Sequence, residues 1–227
     1  RHRVRSGTNF TNSYQKQLSK TVINNRETID MARVIDLYWD LGSTNTYFAI
    51  KLLQPIVARH NAEIRWHAFN VGHVFQANNY VLMDEPKAKL KNRKDDLMRW
   101  ARKYQLPFSV PKAFPIKTSR ALRGAIAMRS WNQEQAFIDA IFAAYWEQGD
   151  GSIGDYSRLR QIAASLDVDP DEFETAAESE SVRAELIDST NRALQRGVFG
   201  VPSIGIENDI YWGKDRMEFV EDHLARL

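Results

Sequence analysis

VIDLYWDLGSTNTYFA, Val34 to Ala49, places a strand, a turn and a helix start side by side. Val34 to Trp39 is rich in β-branched and aromatic residues, which favour a pleated, half-buried strand. Asp40, Leu41 and Gly42 break it. Ser43, Thr44 or Asn45 can then cap a helix carrying Tyr47, Phe48, Ile50, Leu52 and Leu53. Pro55 bends that helix or opens its second segment. EIRWHAF, Glu63 to Phe69, reads as the next strand. Strand, helix and strand in this order make a βαβ unit, whose right-handed crossover sets the two strands parallel.

Further along, the pattern turns helical. Ala88 to Tyr104, Ser119 to Met128, Asn132 to Gln148, Tyr156 to Leu166 and Asp171 to Arg196 read as helices. GDGSIGD, Gly149 to Asp155, is a clear break, and Pro107 to Pro115 is a constrained loop. Strands return near the end. SIGIE and NDIYWG form an expected hairpin joined at Glu207 to Asp209, before an amphipathic terminal helix in KDRMEFVEDHLARL. The fold class is α/β, a mixed layer with a helical cap. The expected segments are an N-terminal arm (1–32), a first half of the α/β layer (33–83), a helical insertion (84–196) and a second half (197–227).

Composition narrows the chemistry. The 227 residues contain no cysteine, so the chain cannot exchange disulfides. Chemistry at the first turn must use a hydroxyl, a backbone N–H or a thiol brought by a ligand. The net charge is +2 and no basic cluster stands out, which argues against nucleic acid as a partner. The basic stretch from Lys87 to Lys94 reads as a solvated helix face. No apolar run nears the roughly 20 residues that span a bilayer, so no membrane partner is expected. The first residue is Arg1, which is compatible with a removed export signal. The reading favours the cytoplasm, with the periplasm as the alternative. His60, His67 and His73 lack a zinc spacing, and DVDPDEFE, Asp167 to Glu174, lacks a calcium-loop order, so no metal is expected.

Three positions stand out as candidate sites. Ser43 either caps its own helix or turns its hydroxyl toward a ligand sulfur, beside helix-start N–H groups suited to an anion. Val201–Pro202 precedes the third strand. Because Pro202 has no N–H, Val201 is left to present its backbone to an extended peptide. Asp215 either caps the terminal helix or holds a ligand ammonium. Phe108, Phe114 and Trp131 are aromatic candidates for a pocket wall.

VIDLYWDLGSTNTYFA, DLMRWARKYQLPF, GVFGVPSIGI and IYWGKDRMEFV together resemble the 2-hydroxychromene-2-carboxylate isomerase family, which is related to kappa-class glutathione transferases and DsbA-like proteins. The resemblance spans roughly Arg33 to Leu227 and implies a thioredoxin-like fold with a large helical insertion. It further implies glutathione as cofactor, and a small aromatic carboxylate or other electrophile as substrate. The implied activity is cis–trans isomerisation of a chromene-type carboxylate. Glutathione transfer and noncatalytic glutathione or peptide binding are the alternatives, and a homodimer is compatible with the resemblance. By the same resemblance Ser43 positions the glutathione sulfur, Val201 offers backbone contacts beside a cis Pro202, and Asp215 binds the γ-glutamyl end. Asn79 adds a contact from the loop after the second strand, and Lys87 and Lys89 neutralise a carboxylate. Two departures are visible. Thr44 stands where the family commonly has proline, and Lys214 puts a charge where an uncharged residue is common.

Overall fold

A computed structural model describes residues 33–81 and 84–227. The expected arm at 1–32 lies outside the described residues. β1 (Arg33–Trp39) runs parallel to β2 (Ala62–Ala68), in register from Arg33 opposite Ala62 to Trp39 opposite Ala68. The crossover between them is α1 (Thr44–Arg59), which continues unbroken through Pro55. β3 (Ser203–Ile206) joins the other edge of β1 antiparallel, and β4 (Asp209–Trp212) folds back on β3 through a turn with Glu207 at φ 50°. The sheet order is β2-β1-β3-β4, so strands from the two ends of the described chain are neighbours at its centre.

Alternation along β1 gives the sheet two unlike faces. Ile35, Leu37 and Trp39 are fully buried and join one large core with Phe48 of α1 and with Val220 and Leu224 of the last helix, α9 (Met217–Arg226). Tyr38 points the other way, into a smaller cluster with Phe69, Val74, Ala193, Val198 and Val201. On that second face Asp36 meets His67 Nε2 at 2.8 Å and Arg196 Nη1 at 2.6 Å. Burial alone pushes the Asp36 carboxyl up, but these two partners outweigh it and hold the pKa at about 2.

Seven helices fill the interval between β2 and β3 among the described residues: α2 (Val71–Ala77), α3 (Lys87–Tyr104), α4 (Ser119–Ala127), α5 (Glu134–Trp146), α6 (Tyr156–Ser165), α7 (Pro170–Glu178) and α8 (Glu180–Gln195). The first of these was not anticipated as a helix. α5 buries Phe137, Ile138, Ile141, Phe142, Tyr145 and Trp146, as suits a helix surrounded by others. Gly124 lets α4 approach closely, since a Cβ there would lie 2.9 Å from Phe173 and 3.0 Å from Phe137.

The long helix expected from Asp171 to Arg196 is two helices. Ser179 breaks it with extended backbone (φ −60°, ψ 151°), and its hydroxyl donates to Ala176 O and accepts from Val182 N. One serine thus ends α7 and caps α8. The Pro107–Pro115 loop contains a cis Phe114–Pro115 bond.

Candidate functional site

The turn between β1 and α1 is built around a buried acid. Asp40 is fully buried; its Oδ1 accepts from Gly42 N at 2.9 Å and its Oδ2 from Val71 N at 3.0 Å. Burial pushes its pKa up against the opposing pull of Gly42, the Thr118 hydroxyl and Val71. Thr118 also presses on the turn, because a Cβ on Gly42 would come within 3.3 Å of Thr118 Cγ2. From below, Trp146 Nε1 donates to Leu41 O at 2.8 Å. The turn is therefore held from α2, from the α3–α4 loop and from α5.

Ser43 leaves that turn with extended backbone and caps α1. Its Oγ accepts from Thr46 N at 3.2 Å and donates to Val201 O, also at 3.2 Å. The two readings of this side chain are compatible, since a hydroxyl has one donor and two acceptor positions. The Val201–Pro202 bond is cis. Pro202 O accepts from Gly213 N at 3.0 Å, and Lys214 Nζ donates to Asn45 Oδ1 at 3.1 Å. Three hydrogen bonds thus link the start of α1 to the Val201–Pro202 loop, that loop to the Gly213 turn, and the Gly213 turn back to α1.

Donors are left over inside this ring. The backbone N–H groups of Thr44, Asn45 and Val201 have no partner among the described residues. No acidic side chain occupies the first turn of α1. Lys214 adds a cation whose side chain is only 12% exposed, 4.7 Å above the Trp100 ring and 3.8 Å from Asp96. Burial pulls its pKa down, opposed by Asp96 and Asp215. Positive potential and free N–H groups at a helix start suit an anion or a thiolate. Among the described residues no three His, Asp or Glu side chains converge to hold a metal, and no helix is long and apolar enough to cross a membrane.

The sequence profile of the DSBA-like thioredoxin domain matches residues 34–225. A 2-hydroxychromene-2-carboxylate isomerase of Sphingobium xenophagum is 30% identical over 196 residues, which is 86% of this chain and 99% of that one. The chain belongs to the 2-hydroxychromene-2-carboxylate isomerase family of DsbA-like thioredoxin folds. A solved 2-hydroxychromene-2-carboxylate isomerase superposes with a TM-score of 0.75 at 28% identity, covering 85% of this chain and 95% of its own. The cytosolic disulfide reductase DsbM from Pseudomonas aeruginosa, solved with GSH, has a TM-score of 0.58 at 19% identity over 86% of this chain and all of its own, a likeness of fold.

Of the residues singled out on the family resemblance, Ser43, Val201 and Pro202 meet directly. Asp215 belongs to the adjoining Gly213 turn, where its carboxylate lies back over Gly213, at φ 109°, and pairs with Arg216 at 2.9 Å. It does not cap α9, whose N-cap position is Arg216. Asn79 stands apart from these contacts. It is exposed, at φ 53° beyond the far end of α2, and its side chain has no hydrogen bond among the described residues. Lys89 is engaged with Glu85 at 3.0 Å. Phe108 is a core residue, packed on Phe48 and Trp146, whereas Phe114 and Trp131 are half-buried. Asp40, Thr118 and Trp146 were not singled out from sequence as site residues, and Asn45 was named only as a possible helix cap. An acid two residues before Gly42, at the end of the strand, was the one local hint.

Proposed function

We propose that this protein is a glutathione-dependent cis–trans isomerase acting on an aromatic, chromene-type carboxylate. The observation that carries the reading is Ser43 Oγ bonded to Val201 O beside the cis Val201–Pro202 bond, in a member of the isomerase family without a single cysteine. Such a site needs a thiol from elsewhere, and its residues fit one. The N–H groups of Thr44 and Asn45, without a partner among the described residues, lie at the start of α1, where a thiolate is favoured. Val201 has an N–H with no partner among the described residues, available to the peptide portion of glutathione. Asp215 is half exposed and available to its ammonium.

Glutathione, when bound, supplies the nucleophile that adds to the substrate's conjugated double bond and leaves again after rotation. The chain's own part is to hold and polarise. Ser43 has a hydroxyl hydrogen that can pass from Val201 O to a sulfur without loss of its capping bond to Thr46 N. The start of α1 stabilises negative charge there before any substrate arrives, so little reorganisation accompanies reaction. Lys214 contributes a fixed positive charge at the same helix end.

Calorimetric titration with glutathione tests the reading. Saturable binding is expected, weakened about tenfold by Asp215→Ala, one charge-assisted contact. Ser43→Ala is expected to raise the ionisation pH of the bound thiol, followed by thiolate absorbance. Isomerisation leaves total glutathione unchanged, whereas a transferase accumulates an adduct. Absence of binding at millimolar glutathione overturns the assignment.

A further inference from the structure

A cavity of about 400 Å³ lies within the helical insertion, lined by Lys117, Ser119, Arg120, Arg123, Glu178 and Arg183 together with Gly154. Four cations and one carboxylate face it. Glu178 is fully engaged, paired with Arg123 and Arg183 and accepting from Tyr156 OH at 2.5 Å. Arg120 pairs with Asp155 at 2.9 Å, an acid whose side chain is 67% exposed. Lys117 has no acidic partner among the described residues. Setting Glu178 and Asp155 against the four cations leaves two positive charges unanswered around one concavity.

Donors are in surplus as well. Nε of Arg123 is buried without a partner among the described residues, on a side chain only 12% exposed. The Ser119 hydroxyl makes no hydrogen bond among the described residues. The start of α4 carries no acid and no side-chain cap, because the Thr118 hydroxyl is turned to Asp40. The Arg123 Nε is closed to solvent, so an anion in the cavity would be met by the accessible guanidinium of Arg120, the Lys117 ammonium and the Ser119 hydroxyl.

We propose that this cavity binds a phosphate-bearing small molecule at a site separate from the Ser43 ring. A phosphomonoester matches the residual charge of two, and its oxygens suit guanidinium forks, an ammonium and a hydroxyl together. The cavity is roomier than a phosphate group alone requires, leaving space for a compact organic body. Inorganic phosphate shares the recognition chemistry, and the two sources are separable by experiment.

The full chain would be titrated calorimetrically, at constant ionic strength, with inorganic phosphate, ribose 5-phosphate and ribose. Saturable one-to-one binding of a phosphate-bearing probe is expected, with no heat from ribose. Tighter binding of ribose 5-phosphate assigns an organic phosphate; equal binding assigns the phosphate group itself. Lys117→Gln combined with Arg120→Gln, both at exposed positions, should weaken binding at least about tenfold with an unchanged melting temperature. Lys91→Gln combined with Lys94→Gln removes the same charge from α3 and should leave binding intact. No saturation by either phosphate probe at millimolar concentration, or equal losses in the two double variants, overturns the proposal.

Discussion

The indole N–H of Trp146 donates to the carbonyl of Leu41 at 2.8 Å, inside the core. This bond fastens the last turn of α5 to the turn that presents Ser43, so the insertion supports the candidate site from within. Leu41 is fully buried and no water can take the place of the donor.

Trp146→Phe keeps an aromatic ring but orphans that carbonyl and opens a void beside Phe108, Phe114 and Tyr145. An unsatisfied buried acceptor and a small cavity together cost about 3 kcal/mol. Urea denaturation should show this loss with an unchanged m-value. Glutathione affinity should fall as well, since Ser43 follows the loosened turn. A loss below about 1 kcal/mol would mean that the bond contributes nothing net.

Asp36 makes stability acid-sensitive. Its pKa falls from an ordinary 3.8 to about 2 in the folded protein, so the folded state binds fewer protons between those values. The stabilisation, about 2 kcal/mol, is present above pH 3.8 and disappears as pH falls through 2. Urea midpoints measured across this range should drop accordingly. Arg196→Gln removes one of the partners of Asp36 and raises the folded pKa, so the loss should again begin near pH 3.8 but end at higher pH and be smaller.

Lys214 is the opposite case. Its ammonium has one neutral hydrogen-bond partner, Asn45, and its nearest acid is 3.8 Å away. Desolvation is therefore incompletely offset. Lys214→Met retains a chain of similar length against Trp100 and should match or exceed the parent stability by about 1 kcal/mol. The folded pKa lies below the ordinary 10.5, so the penalty is present at neutral pH and fades as pH rises toward 10.5. The difference between the two proteins should close over that alkaline range. Glutathione affinity should nevertheless fall several-fold, because a cation at the start of α1 is lost.

Much of this arrangement is legible in residue order. Strand-forming side chains from Val34 to Trp39, followed by Gly-Ser-Thr-Asn, encode β1 and the capped start of α1 locally. The βαβ unit, the helical stretch, the closing hairpin and the Val201–Pro202 junction are also read from residue pattern, and the family resemblance adds the thioredoxin-like arrangement that joins them. What local pattern could not convey depends on distant partners. An aspartate after a strand looks like a solvated turn residue, yet Asp40 is buried because Gly42, Val71 and Thr118 bring donors from separate segments. Ser179 sits in a helix-compatible stretch, and only its extended backbone makes it a cap. Asp215 reads as a helix cap from sequence, but α9 starts beyond it and the carboxylate turns to Arg216.

Because β3 lies between β1 and β4, the sheet is completed late during synthesis. β1 and β2 leave the ribosome together, but the second edge of β1 must wait until the entire insertion has been translated. At about 5–20 residues per second that wait is on the order of ten seconds. During it the unpaired backbone of β1 is open to any passing strand. Ribosome-stalled chains ending before Ser203 should therefore aggregate or recruit chaperones, and chains long enough to expose Trp212 outside the exit tunnel should not.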